Sequence, residues 1–261
     1  MDLGLAGKRA LVVGASRGLG AAIARTLLQE GATVVAAARN AGALASWIDA
    51  LPADQRARVE AVTFDLSDIA TVDTLVASLR GRGGVDILIG NSGGPPPGEA
   101  RNTGRGDWLV HFEAMAANLF HLVQGLLPQM TERGWGRIIT IASSGVEQPI
   151  PRLAVSNAVR AAVVGWSKTL AAEIASQGVT VNVVLPGRIH TERVDQLDDA
   201  AAARTGTTRD DVAKSAIGAI PAGRYGRPEE FADVVTFLAS ARASYVTGAK
   251  IRIDGGLIRG L

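Results

Sequence analysis

Ala10-Leu11-Val12-Val13-Gly14-Ala15-Ser16-Arg17-Gly18-Leu19-Gly20 sets a short apolar run directly against a glycine-rich turn and a helix-forming segment. The run reads as a buried strand, and Gly18 to Glu30 reads as a helix. Glycines at 14, 18 and 20 permit a sharp turn and let the backbone approach a pyrophosphate. The charge of that group would be met by N–H groups at the positive end of the helix. A glycine-rich turn with no ligand is the plainer reading of the triplet alone. The strand before it, the helix after it and the similar units downstream favour a nucleotide. Gly14, Ser16, Arg17, Gly18, Leu19 and Gly20 are the candidate contacts.

Outward from this turn, short β-branched or apolar runs alternate with helical segments. Strands are expected at Ala10 to Val13, Thr33 to Ala37, Val59 to Phe64, Asp86 to Ile89, Arg137 to Ile141, Val179 to Val184 and Lys250 to Ile253. Helices are expected at about Gly18 to Glu30, Ser67 to Leu79, Asp107 to Thr131, Leu153 to Gln177 and Pro228 to Ala239. This rhythm predicts an α/β fold, a single Rossmann-type domain over residues 1–261. Its doubly wound parallel sheet would have about seven strands, with helices on both faces. Two stretches break the rhythm. Gly93-Gly94-Pro95-Pro96-Pro97-Gly98 is read as loop, because proline cannot donate a backbone hydrogen bond, and Arg188 to Arg227 as a polar, Ala-rich insertion. Both follow strand C-termini, where ligands bind in such sheets.

The 261 residues, 47% of them hydrophobic, are enough for one large core. A net charge of +2 and lysines scattered at 8, 168, 214 and 250 give no basic run, so nucleic-acid binding is not expected. No apolar stretch reaches the roughly 18 residues of a membrane span, and Met1-Asp2-Leu3-Gly4 lacks the profile of a signal peptide. The expected location is the cytoplasm. The absence of cysteine excludes disulfides and thiol chemistry, and His111, His121 and His190 form no spaced ligand motif, so no metal is expected.

The second strand ends Ala36-Ala37-Ala38-Arg39-Asn40, without the carboxylate that would hold the ribose 2′-hydroxyl of NAD. Arg39 and Arg17 can instead form a guanidinium clamp for a 2′-phosphate, which favours NADP over NAD. The alternative for Arg39 is a solvated surface arginine.

Over essentially its whole length the chain resembles the short-chain dehydrogenase/reductase family, particularly its bacterial 3-oxoacyl-carrier-protein reductase-like members. The glycine turn fits a T-G-x-x-x-G-x-G pattern with Val13 first. Gly90-Asn91-Ser92-Gly93 resembles N-N-A-G, and Pro186-Gly187-Arg188-Ile189-His190-Thr191, with Asn182 before it, resembles the P-G-x-x-x-T segment. The resemblance implies that Asp65 and Leu66 contact adenine, that Asn91 and Gly93 line the cofactor, and that Pro186, Gly187 and Thr191 meet nicotinamide. It implies a small carbonyl or alcohol substrate. It also implies a homotetramer or homodimer: Tyr245-Val246-Thr247-Gly248 through Asp254-Gly255-Gly256 matches the assembly strand, and Ala161, Ala162, Trp166 and Leu170 suit a buried or helix-packing surface.

The family's catalytic tetrad is Asn, Ser, Tyr and Lys, and the alignment maps these positions to Met115, Ser143, Ser156 and Arg160. Only Ser143 matches. A serine hydroxyl is a much weaker acid than a phenol, and a permanently protonated guanidinium is a poor relay. Arg160 is better suited to bind the nicotinamide ribose or a substrate carboxylate. The remaining candidates for the proton are His111, Glu147 and water; Gln148 shares the loop of Glu147, and His190 and Arg188 are candidate substrate contacts. Helical spacing would put His111, Met115 and Asn118 on one face toward the site, although a lone histidine on such a helix is more often structural. Ser143, Ser144 and Ser156 can together polarise a carbonyl oxygen. Two functions follow: an NADP-dependent oxidoreductase with an altered proton source, or a cofactor-binding sensor or pseudo-enzyme subunit.

Overall fold

The central strands are continuous runs of Val, Ile, Leu and Ala, whereas the third and last, Val59-Glu60-Ala61-Val62-Thr63 and Lys250-Ile251-Arg252-Ile253, carry polar residues among the apolar ones. That contrast is what a parallel sheet demands, since inner strands are covered on both faces and edge strands are not. In a computed structural model, which describes residues 2–260, leaving Met1 and Leu261 outside the described residues, these strands occupy the centre and the two edges respectively.

In chain order the elements are β1 (Arg9–Val13), α1 (Gly18–Gln29), β2 (Thr33–Ala38), α2 (Ala41–Asp49), α3 (Ala53–Arg56), β3 (Val59–Thr63), α4 (Ile69–Arg80), β4 (Ile87–Asn91), α5 (Arg105–Phe112), α6 (Asn118–Glu132), β5 (Gly136–Ile141), α7 (Ala154–Ile174), β6 (Val179–Pro186), α8 (Glu192–Thr205), α9 (Arg209–Gly218), α10 (Pro228–Ala239) and β7 (Lys250–Ile253). All strand pairings are parallel, in the order β3-β2-β1-β4-β5-β6-β7. The order reverses between β1 and β4, which opens a crevice at their C-terminal ends.

Along β1, Ala10 and Val12 enter one apolar layer with α1, α2 and α10, while Leu11 and Val13 enter the other with α4, α6 and α7. Period-two alternation thus feeds both faces from a strand buried throughout. Phe231 of α10 and Leu27 of α1 are fully buried in the first layer, and Leu119, Leu122 and Leu126 of α6 in the second.

The seven expected strands are present, with β4 and β6 each running two residues further toward the crevice than expected. The helices differ more. α2 was not expected, although Asn40 caps it through Ala43 N at 2.9 Å and Leu44, Trp47 and Ile48 recur on its buried face. The long helix expected over Asp107 to Thr131 is interrupted by a π-helical turn, Glu113–Ala117, which separates α5 from α6. The insertion is also not irregular. It folds into α8 and α9, the second opened by a capping box in which Thr208 and Asp211 exchange hydrogen bonds. Alanine favours α8 and the Thr208 side-chain cap favours α9, so an apolar stripe does not announce them.

Candidate active site

One cleft of about 2350 Å³ follows the C-terminal ends of β1, β2, β4, β5 and β6. At one end lies the glycine turn. Helix α1 begins at Gly18 with no side chain capping it, so its first N–H groups face the cleft. Gly14 has φ +70, and a Cβ on Gly20 would stand 2.7 Å from the Gly14 carbonyl carbon, closer still to its oxygen. Only glycine allows the helix to start that close to the strand end. Gly20 is therefore buried behind the turn, while Gly14, Ser16, Arg17, Gly18 and Leu19 line the cleft. This donor set fits a dinucleotide pyrophosphate.

At the adenosine end, Arg39, Asp65 and Leu66 line the same cleft. Burial would raise the Asp65 pKa, but hydrogen bonds from Ser67 N at 3.0 Å and Ser67 Oγ at 2.7 Å, with the charge of Arg39, hold it below the usual value. Arg39 is exposed and faces this carboxylate rather than a protein hydrogen-bond partner. Arg17 is placed differently. It bridges to Glu192 at the start of α8, so its guanidinium spans the cleft mouth and leaves Arg39 as the free arm of the expected clamp. Asn91 packs behind Gly14, and Gly93 borders the opening.

The reacting end gathers Ser143, Ser144, Ser156, Arg160, Met115 and His111 on the cleft wall. Ser143 Oγ accepts from Gly145 N at 3.0 Å, and Ser156 Oγ accepts from Arg160 Nε at 3.3 Å. Each hydroxyl keeps its proton for an oxygen in the cleft, and each oxygen is polarised by the N–H it accepts from. Arg160 also donates to Ile141 O at 2.9 Å, Ser92 O at 3.3 Å and Gly93 O at 3.3 Å. The guanidinium thus ties α7 to the ends of β4 and β5. Burial and the nearby charge of Arg193 lower its pKa to about 10, which still leaves it charged at neutral pH.

Two sequence expectations change here. Asn118 does not join His111 and Met115 on the cleft wall: it is 4% exposed and donates to Leu66 O at 2.9 Å. The π-helical turn between them supplies the reason, since the wider turn shifts the helix register after Met115. Glu147 does not overlook the substrate. It pairs with Lys250 Nζ at 3.1 Å and Arg252 NH1 at 3.6 Å on β7, which removes it as the proton source. Leu170 is buried within the core, while Ala161 and Ala162 lie exposed on α7.

The segment expected to meet nicotinamide runs from Pro186 through Gly187 to Thr191, whose methyl group lies against Gly18. Arg188 pairs with Asp198, which is 1% exposed and accepts from Tyr225 OH at 2.8 Å. Burial and then the Asp198 hydrogen bond raise the Tyr225 pKa, so this phenol stays protonated as a structural donor. His190 lines the cleft 3.6 Å from Asp195, beside the Tyr225 ring. Sequence reasoning missed Arg193, which also lines the cleft and donates to Pro95 O at 3.2 Å. It lies in the polar, Ala-rich insertion, where no motif marked it.

A family model described as enoyl-(acyl carrier protein) reductase matches residues 14–258. The 3-oxoacyl-[acyl-carrier-protein] reductase of Salmonella typhimurium is 35% identical over 252 residues, 96% of this chain and 97% of its own. Nodulation protein G of Azospirillum brasilense is 36% identical over 260 residues, covering 96% and 98%. Among solved structures, L-sorbose reductase from Gluconobacter frateurii, complexed with NADPH and L-sorbose, superposes with a TM-score of 0.93 at 33% identity and full coverage of both chains. With its doubly wound sheet, uncapped glycine turn and end-to-end similarity to these reductases, the chain belongs to the short-chain dehydrogenase/reductase family of NAD(P)-dependent oxidoreductases.

Proposed function

We propose that the protein is an NADP-dependent oxidoreductase acting on a carbonyl or alcohol, with serine hydroxyls taking over the oxygen-holding part of the missing phenol's role. The observation that carries this reading is the continuity of one cleft from the α1 N-terminus to Ser143 and Ser156, both cleft-lining and both with hydroxyl protons left to donate. NADPH would supply the hydride. Gly14, Ser16, Arg17, Gly18 and Leu19 would hold its pyrophosphate, Arg39 its 2′-phosphate, Asp65 and Leu66 its adenine, and Asn91, Gly93, Pro186, Gly187 and Thr191 its nicotinamide half. Ser143 and Ser156 then hold the reacting oxygen, and the Arg160 charge beside Ser156 favours negative charge on it. The proton comes from His111, which lines the same wall, or from water admitted to the open cleft.

The test is a carbonyl panel with NADPH. Turnover should fall about 100-fold or more in Ser143→Ala, the scale for losing one donor to a developing oxyanion. His111→Gln should flatten the pH dependence near neutrality if the imidazole supplies the proton; an unchanged profile assigns that step to water. The second reading, a cofactor-binding sensor or pseudo-enzyme subunit, is favoured by Arg160 being engaged by Ser156, Ile141, Ser92 and Gly93. NADPH binding at ordinary affinity without turnover on any panel member would support it.

Cofactor choice is tested separately. Arg39→Asp should weaken NADPH at least about tenfold relative to NADH, because it removes a charge-assisted contact and adds repulsion at the 2′-phosphate. Equal loss for both cofactors removes the 2′-phosphate role. The exposed small residues Ala158, Ala161, Ala162 and Gly165 on α7 favour a homodimer or homotetramer packed through that helix; light scattering on Ala162→Glu should report a smaller particle than wild type.

A further inference from the structure

The charges on α8 are nearly all answered. Glu192 pairs with Arg17, Asp195 with Arg209, Asp198 with Arg188, and Asp199 lies 3.8 Å from Arg209. Among the described residues the two arginines of α8 have no such partner; Arg204 is exposed, and Arg193 has as its only protein hydrogen bond a neutral group, Pro95 O. Its guanidinium lies over Gly94, where an added Cβ would meet NH2 at 3.1 Å, Cζ at 3.6 Å and Nε at 3.7 Å. Gly94 thus makes the space in which this cation crosses the cleft. Arg160 borders the same loop, donating to Ser92 O and Gly93 O at 3.3 Å, and all its partners are neutral: one hydroxyl and three backbone carbonyls. Two positive groups therefore meet at Ser92 to Pro95 on the cleft wall. Like charges placed together without a carboxylate repel, and an anion between them relieves that cost.

We infer that Arg193, meeting Arg160 at this loop on the reacting end of the cleft, is the anion subsite for substrate, and that the substrate is an oxo acid whose carboxylate lies a few bonds from its carbonyl. Arg160 touches Ser156 at 3.3 Å and Ile141 O, two residues before Ser143, so carboxylate and carbonyl oxygen are recognised side by side. Arg193 has several N–H groups beyond the one given to Pro95, enough for the two-point grip that a planar carboxylate accepts. This deepens the oxidoreductase reading and rests on it for the role of the anion as substrate.

The experiment uses the full chain saturated with NADP+, titrated by calorimetry with pyruvate, 3-oxobutanoate and 4-oxopentanoate, each beside its methyl ester. At least one acid should bind about tenfold or more tighter than its ester, one charge-assisted contact's worth. Arg193→Leu should erase that difference while NADPH affinity stays within about threefold, and Arg193→Lys should keep part of it. Acid and ester binding equally in the wild type for every pair overturns the proposal. So does an Arg193→Leu variant that loses NADPH as severely as it loses the acid, because the cation then serves a cofactor phosphate. Turnover is read in parallel: acids that bind through Arg193 but are never reduced overturn the oxidoreductase reading and leave the anion subsite standing.

Discussion

Arg160→Met is expected to lower the unfolding free energy by about 3 kcal/mol, read as an earlier midpoint in urea denaturation at unchanged slope. The guanidinium donates to Ser156 Oγ, Ile141 O, Ser92 O and Gly93 O, and methionine offers none of these bonds. Each partly buried carbonyl left without a donor costs about 1–3 kcal/mol. Relief of a desolvated charge offsets part of that sum, which is why the expected loss lies below the total for separate bonds. Arg160→Lys should recover some of the stability, since an ammonium keeps the charge but lacks the planar fork that spans β4 and β5. It should not create the family's proton relay, because position 156 still carries serine. A variant as stable as wild type would remove the tying role assigned to Arg160.

Gly20→Ala is expected to abolish useful cofactor binding, with NADPH affinity falling about 100-fold or more, equivalent to about 2.7 kcal/mol. The new Cβ would press on the Gly14 carbonyl, 2.7 Å from its carbon, and both partners are backbone. Relief requires α1 to move away from the end of β1, which withdraws the N–H groups that meet the pyrophosphate. Fluorescence titration with NADPH checks the affinity, and far-ultraviolet circular dichroism distinguishes a displaced turn from a lost fold. Near-wild-type affinity would show that the helix end is not the phosphate site.

The seven strands and the glycine turn were legible from the chain because both are local signals. A strand buried on two faces needs an apolar run, and a turn this tight needs glycine at 14 and 20; each requirement is written at the position where it acts. The identities of Met115, Ser156 and Arg160 were equally legible, and reading them as changed tetrad positions is part of the proposed function. Helices α8 and α9 were not, because alanine-rich helices stabilised by caps and ion pairs carry little apolar periodicity.

What the departures do chemically was decided by tertiary structure. The π-helical turn moves Asn118 from the cleft to Leu66, and β7 draws Glu147 away through Lys250 and Arg252. Arg160 is engaged by carbonyls from strands some 20 and 70 residues away, 19 to Ile141 and 68 to Ser92. Arg193 meets the cleft only because α8 folds back over it to reach Pro95, a separation of 98 residues. Sequence by itself determined the sheet, the glycine turn and which residues stand at 115, 156 and 160, since propensity, burial and backbone freedom act within a few residues. Where each remaining charge and hydroxyl points was set by contacts between distant segments, because a side chain's partners are whatever the folded chain brings within about 3 Å.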